Sequence, residues 1–285
     1  MTATTPAVEI RGLTRRYGDQ VALAGLDLTL ERGEFLGLLG PNGAGKTTTL
    51  RMISCMDRPD AGTCRVLGMD VGGQADPILA RLGVVPQELA LYDAMTAREN
   101  LEFLARLQGL SVAKAQERIA QALEAAGLKD RADTRVQGFS GGMKRRLNLV
   151  ASLLHGPELV LLDEPTVGVD PQSRNHLLEM IEGLRGQVSL IYTTHQMGEI
   201  ERLCDRIAIM DRGRLVAIGT MDELRAQAAG GGATALQLER AEDRERALQV
   251  LAEAGIGLRA VHSGGDLEEI FLATTGRSLR DEVEQ

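Results

Sequence analysis

Gly40-Pro41-Asn42-Gly43-Ala44-Gly45-Lys46-Thr47 places three glycines ahead of a lysine and a hydroxyl residue. A compact apolar run at 34–39 precedes it and a helical pattern at 47–56 follows. That context is the chemistry of phosphate binding rather than of an ordinary glycine turn. Glycines let backbone N–H groups turn inward around phosphate oxygens, and the start of the following helix adds its positive dipole. Lys46 is placed to reach β and γ phosphates, and Thr47 to ligate Mg2+.

A second constellation lies at 159–164, where Leu159-Val160-Leu161-Leu162 runs into Asp163-Glu164. Four apolar residues in a row read as a parallel strand buried on both faces. Two carboxylates at its C-terminal end stand where parallel sheets bind ligands. Asp163 is expected to hold Mg2+ through water, and Glu164 to polarise the attacking water. A strand merely ending in two solvated acids is the bland alternative; the phosphate loop disfavours it.

The elements that must position these groups follow from periodicity. Strands are expected at 8–13 and 21–30 around the turn-like Tyr17-Gly18-Asp19, and a short one at 84–85 stops at Pro86. From 96 to 127 the apolar period is helical, and a further helix over 141–154 is opened by Ser140 as N-cap. Strands at 188–192 and 207–210, with a helix at 172–184, continue the alternation of a parallel sheet covered by helices. The helical stretch at 89–156 reads as an inserted lobe. A Gly/Ala linker is expected at 226–233, followed by an αβ appendage over 234–285 with strands at 235–238 and 258–262 and helices at 243–254 and 267–274. Residues 219–285 carry 7 Arg against 13 Asp or Glu, so most of the net charge of −8 sits in the tail.

Phe139-Ser140-Gly141-Gly142-Met143-Lys144-Arg145-Arg146, shortly before Asp163-Glu164, resembles the signature motif of ATP-binding-cassette (ABC) ATPases. Other elements of that family fall in order. Tyr17 matches the aromatic that stacks on adenine, Gln87 the glutamine loop that also reaches Mg2+, Asp170 the loop after the catalytic glutamate, and His195 the switch histidine. The resemblance spans about residues 6–225. It implies an α/β fold: a P-loop NTPase core with an N-terminal antiparallel β subdomain, the helical lobe, and the small C-terminal αβ appendage. It implies ATP and Mg2+ as cofactors, with Tyr17, residues 40–47, Thr48 and Gln87 binding ATP and Lys46, Glu164 and His195 catalytic. It also implies a head-to-tail dimer, because one copy's phosphate loop must meet Ser140, Gly141 and Gly142 of another.

Phe139 and Met143 depart from the commonest signature, which has Leu and Gln there. This variant resembles bacterial exporter ATPases of the drug, glycolipid and polysaccharide kind, and residues 267–281 (LEEIFLATTGRSLRD) look like the end of that branch. An importer ATPase shares every catalytic motif and stays open, as does, less favoured, a soluble ABC ATPase acting on DNA or the ribosome. Composition bears on both: Lys and Arg number 32 against 40 Asp and Glu, Trp is absent, and no long coiled-coil insertion or second cassette is present. That balance argues against a nucleic-acid partner. No stretch approaches the ~18–20 apolar residues that cross a bilayer, and residues 1–6 lack the basic flank and apolar heart of a signal peptide. The expected location is cytoplasmic, peripheral on the membrane through a separate transmembrane permease. His155, His176 and His262 are expected at surface or cap positions, the three cysteines as small apolar groups, and Lys144-Arg145-Arg146 as a solvated face.

Overall fold

The computed structural model describes residues 5–228, 244–254, 267 and 270. The chain divides into two compact units, Met1–Ile218 and Gly219–Gln285.

The first unit opens with strands β1 (Val8–Tyr17), β2 (Gln20–Leu30) and β3 (Phe35–Leu39), then helix α1 (Lys46–Ile53). Strands β4 (Ala61–Val66) and β5 (Met69–Asp70), helix α2 (Ala75–Leu79) and strand β6 (Leu82–Val85) follow. Helices α3 (Ala97–Leu107), α4 (Val112–Ala125) and α5 (Gly141–Leu153) precede strand β7 (Leu159–Asp163). Helix α6 (Pro171–Glu182), strand β8 (Ser189–Thr193), helix α7 (Met197–Leu203) and strands β9 (Arg206–Asp211) and β10 (Arg214–Gly219) complete the alternation.

Two sheets result. An antiparallel sheet has the order β2-β1-β4-β5, and a six-stranded sheet the order β10-β9-β3-β8-β7-β6. Leu26, Leu28 and Leu30 are buried while Asp27 faces water, the alternation of a sheet with one covered face. β3 and β8 are buried at every residue, as central parallel strands require. β1 runs four residues beyond the expected Leu13. Its pairing with β2 slips between Ile10 and Leu13, where Gly12 takes φ 56, and the bulge lets the polar Thr14-Arg15-Arg16 continue the ladder.

α3, α4 and α5 bury Leu101, Ile119, Leu123 and Leu147 around Phe139, so the helical stretch has a core of its own. Thr96 and Glu99 start α3 with a reciprocal capping box. α7 closes on β3 at Gly37, where a Cβ would lie 2.9 Å from Ile200 Cγ2 and 3.1 Å from Cys204 Sγ.

In the second unit, α8 (Met221–Ala228) spans the boundary expected at 225/226 and the first residues of the expected linker. α9 (Arg244–Glu253) lies where a helix is expected at 243–254. The strands expected at 235–238 and 258–262 lie outside the described residues, as does the helix expected at 267–274 apart from positions 267 and 270.

Candidate nucleotide-binding and hydrolysis site

β3, β8, β7 and β6 are parallel neighbours, so their C-terminal ends share one edge of the sheet. Loops leaving that edge carry the groups singled out above. Leu38 pairs with Thr193, Thr193 with Asp163, and Val85 with Leu162. The glycine loop at 40–45, His195, the carboxylate pair and Gln87 are thereby gathered from four separated segments, where ligands of such sheets bind.

The loop at 40–45 is shaped by what it must fit between. A Cβ on Gly40 would lie 2.3 Å from the Met210 carbonyl oxygen. Gly45 has φ 102, and a Cβ there would lie 2.8 Å from the Ala22 carbonyl oxygen. Both positions demand glycine. Lys46 is buried, and its Nζ donates to the carbonyls of Gly40 at 2.6 Å and Pro41 at 3.0 Å, curling the loop around the lysine. α1 starts at Lys46 with no side-chain cap and no acid in its first turn, which suits an anion at its N-terminus. Thr47 is exposed there, and Thr48 is half-buried.

Tyr17 ends β1 with 41% of its surface exposed. The Arg15 guanidinium lies 4.7 Å from its ring centroid, and its hydroxyl donates to Asp57 Oδ2 at 2.5 Å. Arg51 Nε donates to the same oxygen at 2.6 Å. These bonds, Arg51 first and Tyr17 second, hold the Asp57 carboxyl below its ordinary range. The ring is therefore fixed on one side by cation–π contact and at its tip by an anion.

At the end of β7, Asp163 Oδ1 accepts from Thr193 Oγ1 at 2.6 Å. Glu164 turns sharply out of the strand with φ 46, an unusual backbone conformation for a side-chain-bearing residue. Its N–H donates to Thr193 O at 3.0 Å and Oγ1 at 3.1 Å, so β8 holds the turn. The Glu164 carboxylate lies 3.5 Å from Gln87 Nε2 and 3.6 Å from His195 Nδ1. Three residues far apart in sequence thus converge on one point.

Ser140 does cap α5, its hydroxyl accepting from Met143 N–H at 3.2 Å. Gly142 is buried against α6, where a Cβ would lie 2.3 Å from Ser173 Cβ and Oγ. Gly141 is exposed. Asp170 caps α6 by accepting from Ser173 N–H at 3.0 Å, and that bond lowers its pKa. Within one chain, Ser140 therefore caps α5 itself, and Gly142 packs against α6.

The expectation of a solvated face at 144–146 is corrected. Arg145 is half-buried and donates to Gln87 O at 2.6 Å and Val167 O at 3.2 Å; desolvation lowers its pKa. Arg146 donates to Ala126 O, and Lys144 pairs with Asp93 at 2.7 Å. A charge run conceals such folding back, because the acceptors are distant backbone carbonyls. Arg145→Ala should cost about 2 kcal/mol, the worth of hydrogen bonds from a charged donor that is itself half-buried. Lys144→Ala should cost under about 1 kcal/mol, since Asp93 is exposed. Thermal or urea denaturation compares the two. His155, one residue past the C-cap of α5, is half-buried, with Nε2 at 3.1 Å from Leu82 O. Cys64 is buried, and that burial pushes its thiol up to about 12.

A glycine loop closed on a buried lysine, with a carboxylate pair two strands away, defines a phosphate-loop nucleoside triphosphatase. The ABC transporter family pattern matches residues 23–167. The linearmycin resistance ATP-binding protein LnrL of Bacillus subtilis is 40% identical, covering 96% of this chain and 100% of that protein. The Nod factor export ATP-binding protein I of Ralstonia nicotianae is 39% identical over 98% of this chain and 96% of its own length. The daunorubicin/doxorubicin resistance ATP-binding protein DrrA of Streptomyces peucetius is 41% identical over 93% of this chain and 80% of its own length. A solved ATP-binding subunit of an ABC transporter superposes with a TM-score of 0.72 at 31% identity, covering 81% of this chain and 96% of that one. A dimeric ATP-binding cassette with ADP and Pi bound has a TM-score of 0.67 at 24% identity, over 75% of this chain and 98% of that one, and shares the fold.

The chain belongs to the ABC transporter family, as one of its ATP-binding proteins. It binds ATP and is an ATP hydrolase. Its α/β fold is that of the ABC ATPases, as its resemblance implied. Among the described residues, no helix is long and apolar enough to cross a membrane.

Proposed function

We propose that this chain is the ATP-hydrolysing subunit of a membrane exporter, driving a drug, lipid or polysaccharide-like substrate through a separate transmembrane subunit. The observation that carries the reading is the single sheet edge holding Lys46, Gln87, Asp163, Glu164 and His195, in a chain similar almost end to end to resistance and export ATP-binding proteins. The chain sits on the cytoplasmic face of the membrane through its permease and acts as a head-to-tail dimer.

Lys46 and residues 40–48 hold the triphosphate, with Tyr17 against the adenine. Thr47 and Asp163, with Gln87, are the donors for Mg2+, a hard cation that favours oxygen ligands. When bound, Mg2+ neutralises phosphate charge. Asp163 fits that duty, since Thr193 fixes one of its oxygens and so aims the carboxylate. Glu164 accepts the proton of the attacking water, and His195 positions that water and the γ-phosphate. Ser140, Gly141 and Gly142 of the second copy close over the phosphate, with Asp170 alongside.

Asp57→Asn tests the adenine contact. Losing the anion that fixes the Tyr17 hydroxyl should raise KM for ATP about fivefold, near 1 kcal/mol, with kcat little changed. Steady-state kinetics beside Tyr17→Ala checks this; a fall in kcat at constant KM would contradict it.

The exporter reading is tested by purifying tagged chain from detergent-solubilised membranes and identifying the co-purifying proteins by mass. A small, very hydrophobic partner is expected. Recovery of a solute-binding protein would turn the reading to import, and ribosomal or DNA-bound partners would remove the transport claim.

A further inference from the structure

Behind the site lies a buried carboxylate that the motifs do not include. Glu199, on α7, is 4% exposed. Its Oε2 accepts three hydroxyl bonds: Thr166 Oγ1 at 3.0 Å, Tyr192 OH at 2.8 Å and Thr194 Oγ1 at 2.9 Å. Arg174 Nε of α6 faces its other oxygen at 3.8 Å. Arg174 also reaches the segments involved, donating to Gln196 Oε1 at 2.7 Å and Val169 O at 3.4 Å.

The donors come from separate places. Thr166 stands two residues after Glu164 and Thr194 immediately before His195, while Tyr192 is in β8. Thr194 Oγ1 additionally accepts from Gln196 N–H at 3.0 Å, closing the turn around His195. Thr166 and Thr194 are at most 1% exposed, so water does not compete for these bonds. Burying a carboxylate is costly, and here three hydroxyl bonds to Oε2 and the facing Arg174 guanidinium offset that cost, while Oε1 itself accepts no hydrogen bond among the described residues.

We infer that Glu199 is a positioning residue for hydrolysis: its carboxylate ties the loop after Glu164 to the loop carrying His195 and so sets their separation. The inference rests on the proposed roles of Glu164 and His195. Glu199 touches neither and acts through Thr166 and Thr194. An acceptor-only group is needed because three donors converge on one oxygen; an amide would turn its NH2 toward either those hydroxyls or Arg174.

Thr194→Val and Thr194→Ser, made in the full chain, separate positioning from packing. Valine keeps the volume and loses the hydroxyl; serine keeps the hydroxyl and loses the methyl. Thr194→Val should lower kcat about tenfold at unchanged KM for ATP, and Thr194→Ser should stay within about twofold of wild type. Thr166→Val and Thr166→Ser should split the same way. Where Glu199→Gln folds, it should lower kcat at least as much. In a Thr194→Val background it should cost markedly less than it does alone, since the link is already cut. Valine variants that turn over like wild type, or serine variants as slow as valine ones, would overturn the inference. Glu164→Gln in the same assay separates the failures. If it is inactive while the valine variants are normal, only the role of Glu199 falls. If it is active, the reading of the site falls first.

Discussion

Glu164→Gln binds ATP with near wild-type affinity but hydrolyses it about a thousandfold more slowly, within the range a positioned general base contributes. The expectation rests on how little the substitution disturbs. The backbone at 164 is held at φ 46 by two bonds from its N–H to Thr193, and both are independent of the side chain. Glutamine has the same shape and can still lie beside Gln87 and His195. What it lacks is the capacity to accept a proton from water. Phosphoryl transfer in this class depends on positioning and electrostatics, so a barrier of about 4 kcal/mol returns without loss of fold. Release of labelled phosphate from γ-labelled ATP under single-turnover conditions measures it. Hydrolysis near the wild-type rate would remove Glu164 as the base.

Gly142→Ala is expected to lose hydrolysis by at least tenfold while ATP still binds, and to be destabilised by about 1–3 kcal/mol, the usual cost of overpacking. The first turns of α5 and α6 touch at this residue, leaving a new Cβ 2.3 Å from both Cβ and Oγ of Ser173. Relief requires α5 to shift at its N-terminus, which carries Ser140 and the backbone proposed to close on the other copy's phosphate. The rescue is specific. Ser173→Gly removes both clashing atoms and should restore activity in the double variant, at up to about 1 kcal/mol of helix propensity. Ser173→Ala keeps the clashing Cβ and should not restore it. Equal rescue by both, or a Gly142→Ala chain as active as wild type, would refute the packing argument.

The difference between Gly142 and Glu199 shows what a sequence can reveal of such a site. Residues 40–47 and 159–164 are legible because the chemistry needs contiguous spacing: a loop tight enough to wrap phosphate, and carboxylates at a strand end. Glu199 is silent because its hydroxyl partners lie on separate segments and meet only once β7 and β8 pair. Asp57 is silent for the same reason, forty residues from Tyr17.

Much of the fold was legible through long apolar runs and helical periodicity, and the missed elements were short or weakly patterned. In β4, only Cys64 and Val66 of six residues are buried, and its exposed start reads as a loop. α7 has seven residues, too few for a helical period to emerge. β10 follows β9 after Arg212-Gly213, both at positive φ, and none of its first five residues is fully buried. β4 places β1 at the centre of the antiparallel sheet, and α7 carries Glu199. The quiet elements therefore hold residues on which the proposed site depends.

In the proposed mechanism ATP closes two copies head to tail, each phosphate loop meeting the other's Ser140, Gly141 and Gly142. Sedimentation of the Glu164→Gln chain with and without Mg-ATP tests it most directly, because that variant should hold the closed state without turning over. Monomer mass is expected without nucleotide and twice that mass with Mg-ATP. The added substitution Ser140→Glu, which sets a negative charge against the partner's phosphate, should abolish the doubling while ATP still binds. A chain saturated with ATP that stays at monomer mass, or a dimer indifferent to Ser140→Glu, would contradict it.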